Sequence, residues 1–519
     1  MRNKSHYLFA ICAVAGLAAV FYVLMRDAEA NIKTYTEISR APAIYPDYTD
    51  LVVPSNIAPL NFEIQEPGEK YFVRIYTSAD QDIEIVSRKS RIIIPLKNWR
   101  KLLRANQGKA LFYDVYVMTA NGAWQRYQTI SNNVSNENEE IDSHLVYRRL
   151  KPNFNWFKNI GIYQRNLENF DESVVIHGKS FENGCVNCHT FLNNSPKSMA
   201  FGYRCLSGND TIMVRNGTAK KLGTQFGYTT FHPSGKLVTC SINKVRQFFH
   251  LGGGMEVRDV VDLDSYITIY DIDAQIARTT SGLSDKQRLE TYPAWSPDGK
   301  YLYFCAAPLL WTDRDKVPPD NYEKLKYDLM RIPYDLETDK WGSPETVLSS
   351  AKTGLSILLP RVSPDGLFLL FCMCDYGCFP VYQPGSDLYL MDLRTREYTK
   401  LDVNSDFSES WHSWSSNGRW IVFSSKRRGG LFTRSYISYV DSQGKAHKPF
   451  ILPQKTPAFY DSVLDTYSVP ELVAGPIEIS KRELGRVIRS TSETELKLPI
   501  TGATPKVGAS EPWQQMREN

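Results

Sequence analysis

Net charge is nearly absent from this chain: 61 lysines and arginines against 57 aspartates and glutamates leave a formal +4 over 519 residues. So small a surplus provides no electrostatic footprint for a polyanion, which argues against nucleic acid as a partner. Catalytic signatures are missing too. There is no G-x-S-x-G elbow, no H-E-x-x-H pair and no phosphate-binding glycine loop; Gly252-Gly253-Gly254 lacks the strand and helix around it that such a loop needs and reads as flexible. No catalytic set emerges, so whether the protein is an enzyme stays open. Cysteine and histidine are scarce, at 9 and 8 residues, which gives weight to any place where they gather.

They gather once, in Cys185-Val186-Asn187-Cys188-His189. C-x-x-C-H is the sequence form of covalent c-type haem attachment: Cys185 and Cys188 supply thioethers to the ring, and His189 the proximal iron ligand. At this chain's composition the pattern arises by chance on the order of a few times per thousand chains. A structural disulfide, a redox-active pair and half a zinc site are the competing readings. Zinc requires a second close pair, and the other cluster, Cys372, Cys374 and Cys378, has no adjacent histidine. A thioredoxin-like pair belongs in an alternating strand and helix pattern, which this region lacks.

Residues 7 to 25 form 19 uncharged, mostly apolar positions after Arg2 and Lys4, the pattern of a membrane helix whose basic end stays inside. Ala28-Glu29-Ala30 offers a cleavage site, but the long apolar run favours an uncleaved anchor over residues 1–30. Cys12 lies within it as a bystander. Either way the remainder is exported, placing the bulk of the chain in a bacterial periplasm, tethered to the inner membrane or released from it. That compartment is where disulfides persist and where c-type haem is attached.

The rest reads as mainly β. Short strand signals recur over 50–135, with Asn121-Gly122 as a hairpin turn and Leu96, Trp99, Leu102 and Leu103 at helical spacing as core. This stretch resembles a small fibronectin III-like β-sandwich, a type of module that mostly spaces or docks. The Asn- and Glu-rich residues 131–140 mark a boundary. Residues 142–197 are a haem-binding segment, whose aromatics from Tyr147 to Phe181 either wrap the haem or pack a domain interface.

From 198 to 480 the chain repeats. F-H-P-S-G-K-L-V (231–238), W-S-P-D-G-K-Y-L (295–302), V-S-P-D-G-L-F-L (362–369) and W-S-S-N-G-R-W-I (414–421) each pair a β-turn with an alternating strand. Each is followed by a second hairpin, which makes a four-stranded blade. Ile212 to Lys221 forms the second hairpin of an earlier blade, residues 459–480 could supply a closing strand, and about six blades result. These turns resemble the WD40-like (PD40) repeats of TolB-type β-propellers. The whole chain resembles a bacterial family, common in Bacteroidetes, with one C-x-x-C-H site ahead of a TolB-like propeller and behind an N-terminal anchor. The resemblance is closest in 162–173, 185–191 and 411–427. It implies one covalent haem c and a propeller, and leaves the reaction open. Residues 481–519 read as a polar tail.

Iron needs a sixth ligand or an open site. Met199, ten residues after His189, is the candidate distal ligand if the intervening loop folds over the ring. Otherwise Met199 begins the first propeller strand with its side chain in the core. His232, His250 and His412 are the alternatives; His232 also reads as a blade-turn residue and His412 as a hydrogen-bonded rim residue. Cys374 and Cys378 are expected to pair, while Cys240, Cys305 and Cys372 read as small buried hydrophobes. Three functions compete. The leading one is a membrane-tethered monohaem cytochrome that transfers electrons or senses redox state, with the propeller docking a protein redox partner. The others are a haem enzyme whose site lies where haem meets propeller, and a ligand-binding propeller with an accessory haem.

Overall fold

The computed structural model describes residues 32–78, 82–151, 159–249, 258–313, 316 and 318–491. The expected anchor at 7–25, Cys12, His250, the glycine run at 252–254 and Phe154, Trp156 and Phe157 lie outside them. Among the described residues no helix is long and apolar enough to cross a membrane. The chain is mainly β and forms two compact units, residues 1–140 with 453–462, and 141–452 with 463–519.

The first unit holds a seven-stranded sheet and a three-stranded sheet. In the larger sheet, Lys70–Tyr76 pairs with both Asp82–Ser87 and Ala110–Met118, and the latter pairs in turn with Trp124–Tyr127 and Ile130–Val134. Alternation sets one face of Ala110–Met118 inward, so Leu111, Tyr113, Val115 and Val117 are buried. The helix Leu96–Ala105 buries Trp99, Leu102 and Leu103, and the Trp99 indole donates to Ile57 O at 2.9 Å. The apolar stripe at helical spacing is thus core.

The second unit is a six-bladed β-propeller. Its six sheets comprise five of four strands and one of five. Blades 2 to 6 run in chain order, with inner strands Cys185–Phe191, Thr229–Phe231, Arg288–Trp295, Ser356–Val362 and Glu409–Trp414. Blade 1 takes its three outer strands from His144–Leu150, Gly161–Asn166 and Glu172–His177, and its inner strand from Thr466–Val473, far along the chain. This pairing closes the ring: each inner strand touches the next, all the way round.

The ring therefore opens at 144, not at 198, and the described residues of 142–197 form the outer strands of blade 1 and the inner strand of blade 2. Their missing period of two has a cause: His144–Leu150 and Gly161–Asn166 are buried on both faces for most of their length, so apolar residues run on without alternation. The tail is divided as well. Lys481–Arg489 is a helix capped by Ser480, whose hydroxyl accepts from Glu483 N at 3.2 Å, and Leu484, Val487 and Ile488 complete the core of blades 1 and 2.

The repeated turns join inner to second strands. Gly235, Gly299, Gly366 and Gly418 have φ of 67–74°, the left-handed region open to glycine at no steric cost. Where two sister positions carry tryptophan, each indole ties its blade to the one before: Trp295 to Thr239 Oγ1 at 2.9 Å and Trp414 to Arg361 O at 3.0 Å. Asn194, in the corresponding turn of blade 2, donates to Leu472 O and Trp414 O at 2.8 and 2.9 Å.

Because the closing strand is the only inner strand of blade 1, deleting Thr466–Val473 should leave His144–Leu150 as a free edge. We expect insoluble protein or loss of the cooperative thermal transition; a soluble deletion melting at the wild-type temperature would refute ring closure by this strand.

Candidate functional site

The inner strands share an irregularity that places the C-x-x-C-H motif. In blades 1, 2, 4, 5 and 6 the ladder slips where two residues bulge: Val469-Pro470, Cys188-His189, Tyr292-Pro293, Leu359-Pro360 and Trp411-His412. The first residue of each pair has positive φ, from 29° at Cys188 to 56° at Leu359. The bulge turns this residue inward. Tyr292 and Trp411 meet each other and Tyr228 of blade 3 across the axis, with ring centroids 4.1–6.2 Å apart. Cys188 stands at the same register, beside Tyr228, whose hydroxyl burial and the nearby thiols push to a higher pKa.

The second residue of each bulge is proline in three blades and histidine in two, so His189 and His412 are structural sisters. His412 is satisfied: Nε2 lies 3.2 Å from Leu370 O and Nδ1 3.6 Å from Cys372 Sγ, both of the preceding blade. It is a buried inter-blade residue and not a rim residue. His189 is 2% exposed; neither ring nitrogen makes a well-formed hydrogen bond among the described residues, though the backbone carbonyls of Val146 and Val469 stand near the ring and favour its protonated form. Burial, and after it Arg148, hold its imidazole neutral, with a pKa pushed down to about 3. Burial raises both thiols, against a smaller downward pull from Arg148 and Arg204. Both are free. Arg148 donates to Asn187 Oδ1 at 3.1 Å, while its buried Nε is unpartnered. Arg361 meets Glu471 at 3.2 Å; burial lifts this carboxyl to about 7, with Arg361 opposing.

In donor chemistry these residues could hold a c-type haem: two thiols outside any disulfide, of which Cys185 Sγ donates to Val186 O at 3.8 Å and Asn187 Oδ1 at 3.5 Å, and a neutral imidazole without a well-formed hydrogen bond. Among the described residues no group of three or more His, Cys, Asp and Glu is placed to hold a bare metal ion.

Met199 is placed differently from the distal-ligand expectation. Residues 192–197 form a tight hairpin turn, closed by Leu192 N to Ser198 O at 3.1 Å, and do not fold over a ring. Met199 pairs with Phe191 and Val214 and is fully buried in the core of blades 1 and 2 with Phe201 and Ile212. His232 is occupied by Ser234 Oγ at 2.7 Å and Gly299 O at 3.2 Å. Cys374 and Cys378 are separate free thiols, bound to Tyr376 O and Val260 O, and Cys240, Cys305 and Cys372 are buried as expected.

Arg148, Arg361 and Glu471 join the site only through the fold. The bulge register, by contrast, had a signal. Tyr228, Tyr292, Leu359 and Trp411 each stand seven residues before the turn glycine of their repeat, and Cys188 seven before Ser195 at the same turn position.

No protein-family model matches the chain, and no curated protein matches it. Solved structures do. Oligogalacturonate lyase from Vibrio parahaemolyticus is 12% identical over 78% of this chain and all of its own, with a TM-score of 0.32. The Dos1 propeller is 14% identical over 52% of this chain and 62% of its own, at 0.31. Tricorn protease is 12% identical over 66% of this chain, at 0.32, and this chain spans about a third of it, 34%. Such distant likenesses carry no function across; the class, a six-bladed β-propeller with a second β-rich unit, rests on the sheets themselves.

Two outcomes follow from this packing. Met199→Ala should cost about 2–5 kcal/mol, as for other buried methionines, read as a lowered urea midpoint; an unchanged midpoint would remove Met199 from the core. His412, its pKa depressed to about 3 by burial, binds its proton more readily unfolded, where it titrates near 6.5. Its contribution is complete above about pH 6.5 and is lost on acidification by about 1.4 kcal/mol per unit down to about 3. Urea midpoints between pH 7 and 4.5 should fall less steeply in His412→Gln than in wild type; parallel curves would disprove the assignment.

Proposed function

We propose that this protein is an exported, membrane-tethered monohaem c-type cytochrome whose propeller carries the haem and docks a protein redox partner, for electron transfer or redox sensing. The observation carrying this reading is the His189 imidazole. A buried ring with neither nitrogen in a well-formed hydrogen bond costs stability unless something takes it up, and it sits beside two thiols outside any disulfide, while its sister His412 is bonded on both nitrogens. Cys185 and Cys188 would hold the ring and His189 the iron. When bound, the haem supplies one-electron exchange. The protein's part is to bury these groups from water and to keep the imidazole neutral, the form that binds metal, through burial and the nearby Arg148 charge. The sixth ligand is left unassigned, since Met199 is committed to the core. The apolar run at 7–25 supports the tether, and we read the first unit as a fibronectin III-like sandwich, a type of module that mostly spaces or docks.

The bulge register favours a second reading, a ligand-binding propeller without haem. Three sister positions hold proline and one a packed histidine, and Cys185 lies with Phe181, Met199 and Tyr203 in the core, so His189 would be a wedge between blades.

One experiment separates the two. Produced with the c-type maturation machinery, the wild-type chain should keep haem on a denaturing gel, Cys185→Ala/Cys188→Ala should lose it, and His189→Ala should alter the reduced spectrum. A wild-type band without haem stain would leave the second reading. A reduced spectrum unchanged by CO would favour electron transfer, and CO binding a haem enzyme or gas sensor.

A further inference from the structure

The first unit carries a charge pattern that the propeller and its thiols do not use. Between Glu84 and Asp114 the sequence has eight lysines and arginines and no acid, a local +8 in a chain whose total is +4, so the remaining residues sum to −4. The helix Leu96–Ala105 organises half of this charge. Lys97, Arg100, Lys101 and Arg104 stand at i, i+3, i+4 and i+7, one stripe opposite the buried Trp99, Leu102 and Leu103. Lys97, Lys101 and Arg104 are exposed and make no ion pair among the described residues. The four line a surface groove with Leu96 and Ala105. Like charges at these spacings destabilise a helix, and for Lys97, Lys101 and Arg104 no ion pair among the described residues offsets the repulsion.

We infer that this stripe lies against the anionic phospholipid headgroups of the membrane that residues 7–25 cross. A cationic face with the methylene stems of lysine and arginine beneath it is suited to a phosphate-rich boundary, where stems and charges are both accommodated. The tether keeps it close. Arg26 and Thr36, the start of the first strand of this unit, are ten positions apart, a span of at most about 35 Å. The inference rests on the reading of 7–25 as an uncleaved anchor and is independent of the haem.

The test uses the full chain reconstituted in nanodiscs of phosphatidylcholine alone or with about 30% phosphatidylglycerol, since basic residues bind to acidic lipid surfaces. Amine acylation followed by mass spectrometry reads Lys97 and Lys101, with Lys352 and Lys445, exposed in the second unit, as internal references. Acylation of Lys97 and Lys101 should slow by roughly five-fold or more on the anionic discs, about the effect of bringing one charge to such a surface, and recover in about 1 M salt, where screening is nearly complete. Arg100→Gln/Arg104→Gln should lose most of this protection while keeping the wild-type circular-dichroism spectrum. Equal rates on the two discs, with the protein firmly retained, would overturn the inference and leave the anchor standing. Protein washed from neutral discs by alkaline carbonate would refute the anchor. Co-sedimentation of that released protein with vesicles of the same two compositions then decides for the stripe, and absence of salt-sensitive binding to the anionic vesicles would overturn it.

Discussion

The propeller depends on one pairing of distant segments, Thr466–Val473 beside His144–Leu150. A blade is a small twisted sheet with two apolar faces, and alone it would leave both in water. Six blades in a ring cover each face with a neighbour, but only if the last strand returns to the first blade. The cost is the entropy of closing a loop of some three hundred residues, which grows only slowly with length. Burial along the whole ring outweighs it. The bonds of Asn194 to Leu472 and Trp414 tie the seam between blades 6, 1 and 2.

Ring closure also explains the bulges. Inner strands converge on the axis, where six backbones compete for little space, and an extra residue in five of the six turns one side chain toward the axis at the expense of a ladder bond. Proline suits the second bulge position because no ladder partner awaits its nitrogen. Histidine suits it when the ring reaches a carbonyl of the preceding blade, as His412 does. Cys188-His189 inherits this geometry and adds two free thiols and an arginine to it. What distinguishes the motif from its sisters is therefore its two thiols and an imidazole without a well-formed hydrogen bond, since the backbone is the same.

In the first unit, the helix packs Trp99, Leu102 and Leu103 inward and turns four cations outward. Its one hydrogen-bonded aromatic, Trp99 to Ile57 O, fixes the helix on the core, so the charged stripe is held as a rigid surface. The repulsion within it is tolerated because helical stability here comes from tertiary burial more than from surface pairs.

Much of this protein was legible from residue order. Turn glycines with positive φ, Pro and Ser before them and alternating strands after them are local chemistry, so four blades and the second hairpins could be read directly, as could the Trp99 stripe. The C-x-x-C-H spacing alone singles out Cys185, Cys188 and His189 as a candidate set. Blade 1 was not legible, because strands buried on both faces lose their period of two and its inner strand comes from the far end of the chain. Nor was the neighbourhood of His189: Arg148, Arg361 and Glu471 are separated by up to 323 positions, and only the closed ring brings them together. Met199 shows the limit most plainly. Its spacing from His189 admits either an iron ligand or a core residue, and the hairpin at 192–197, by pairing it with Phe191, decided for the core.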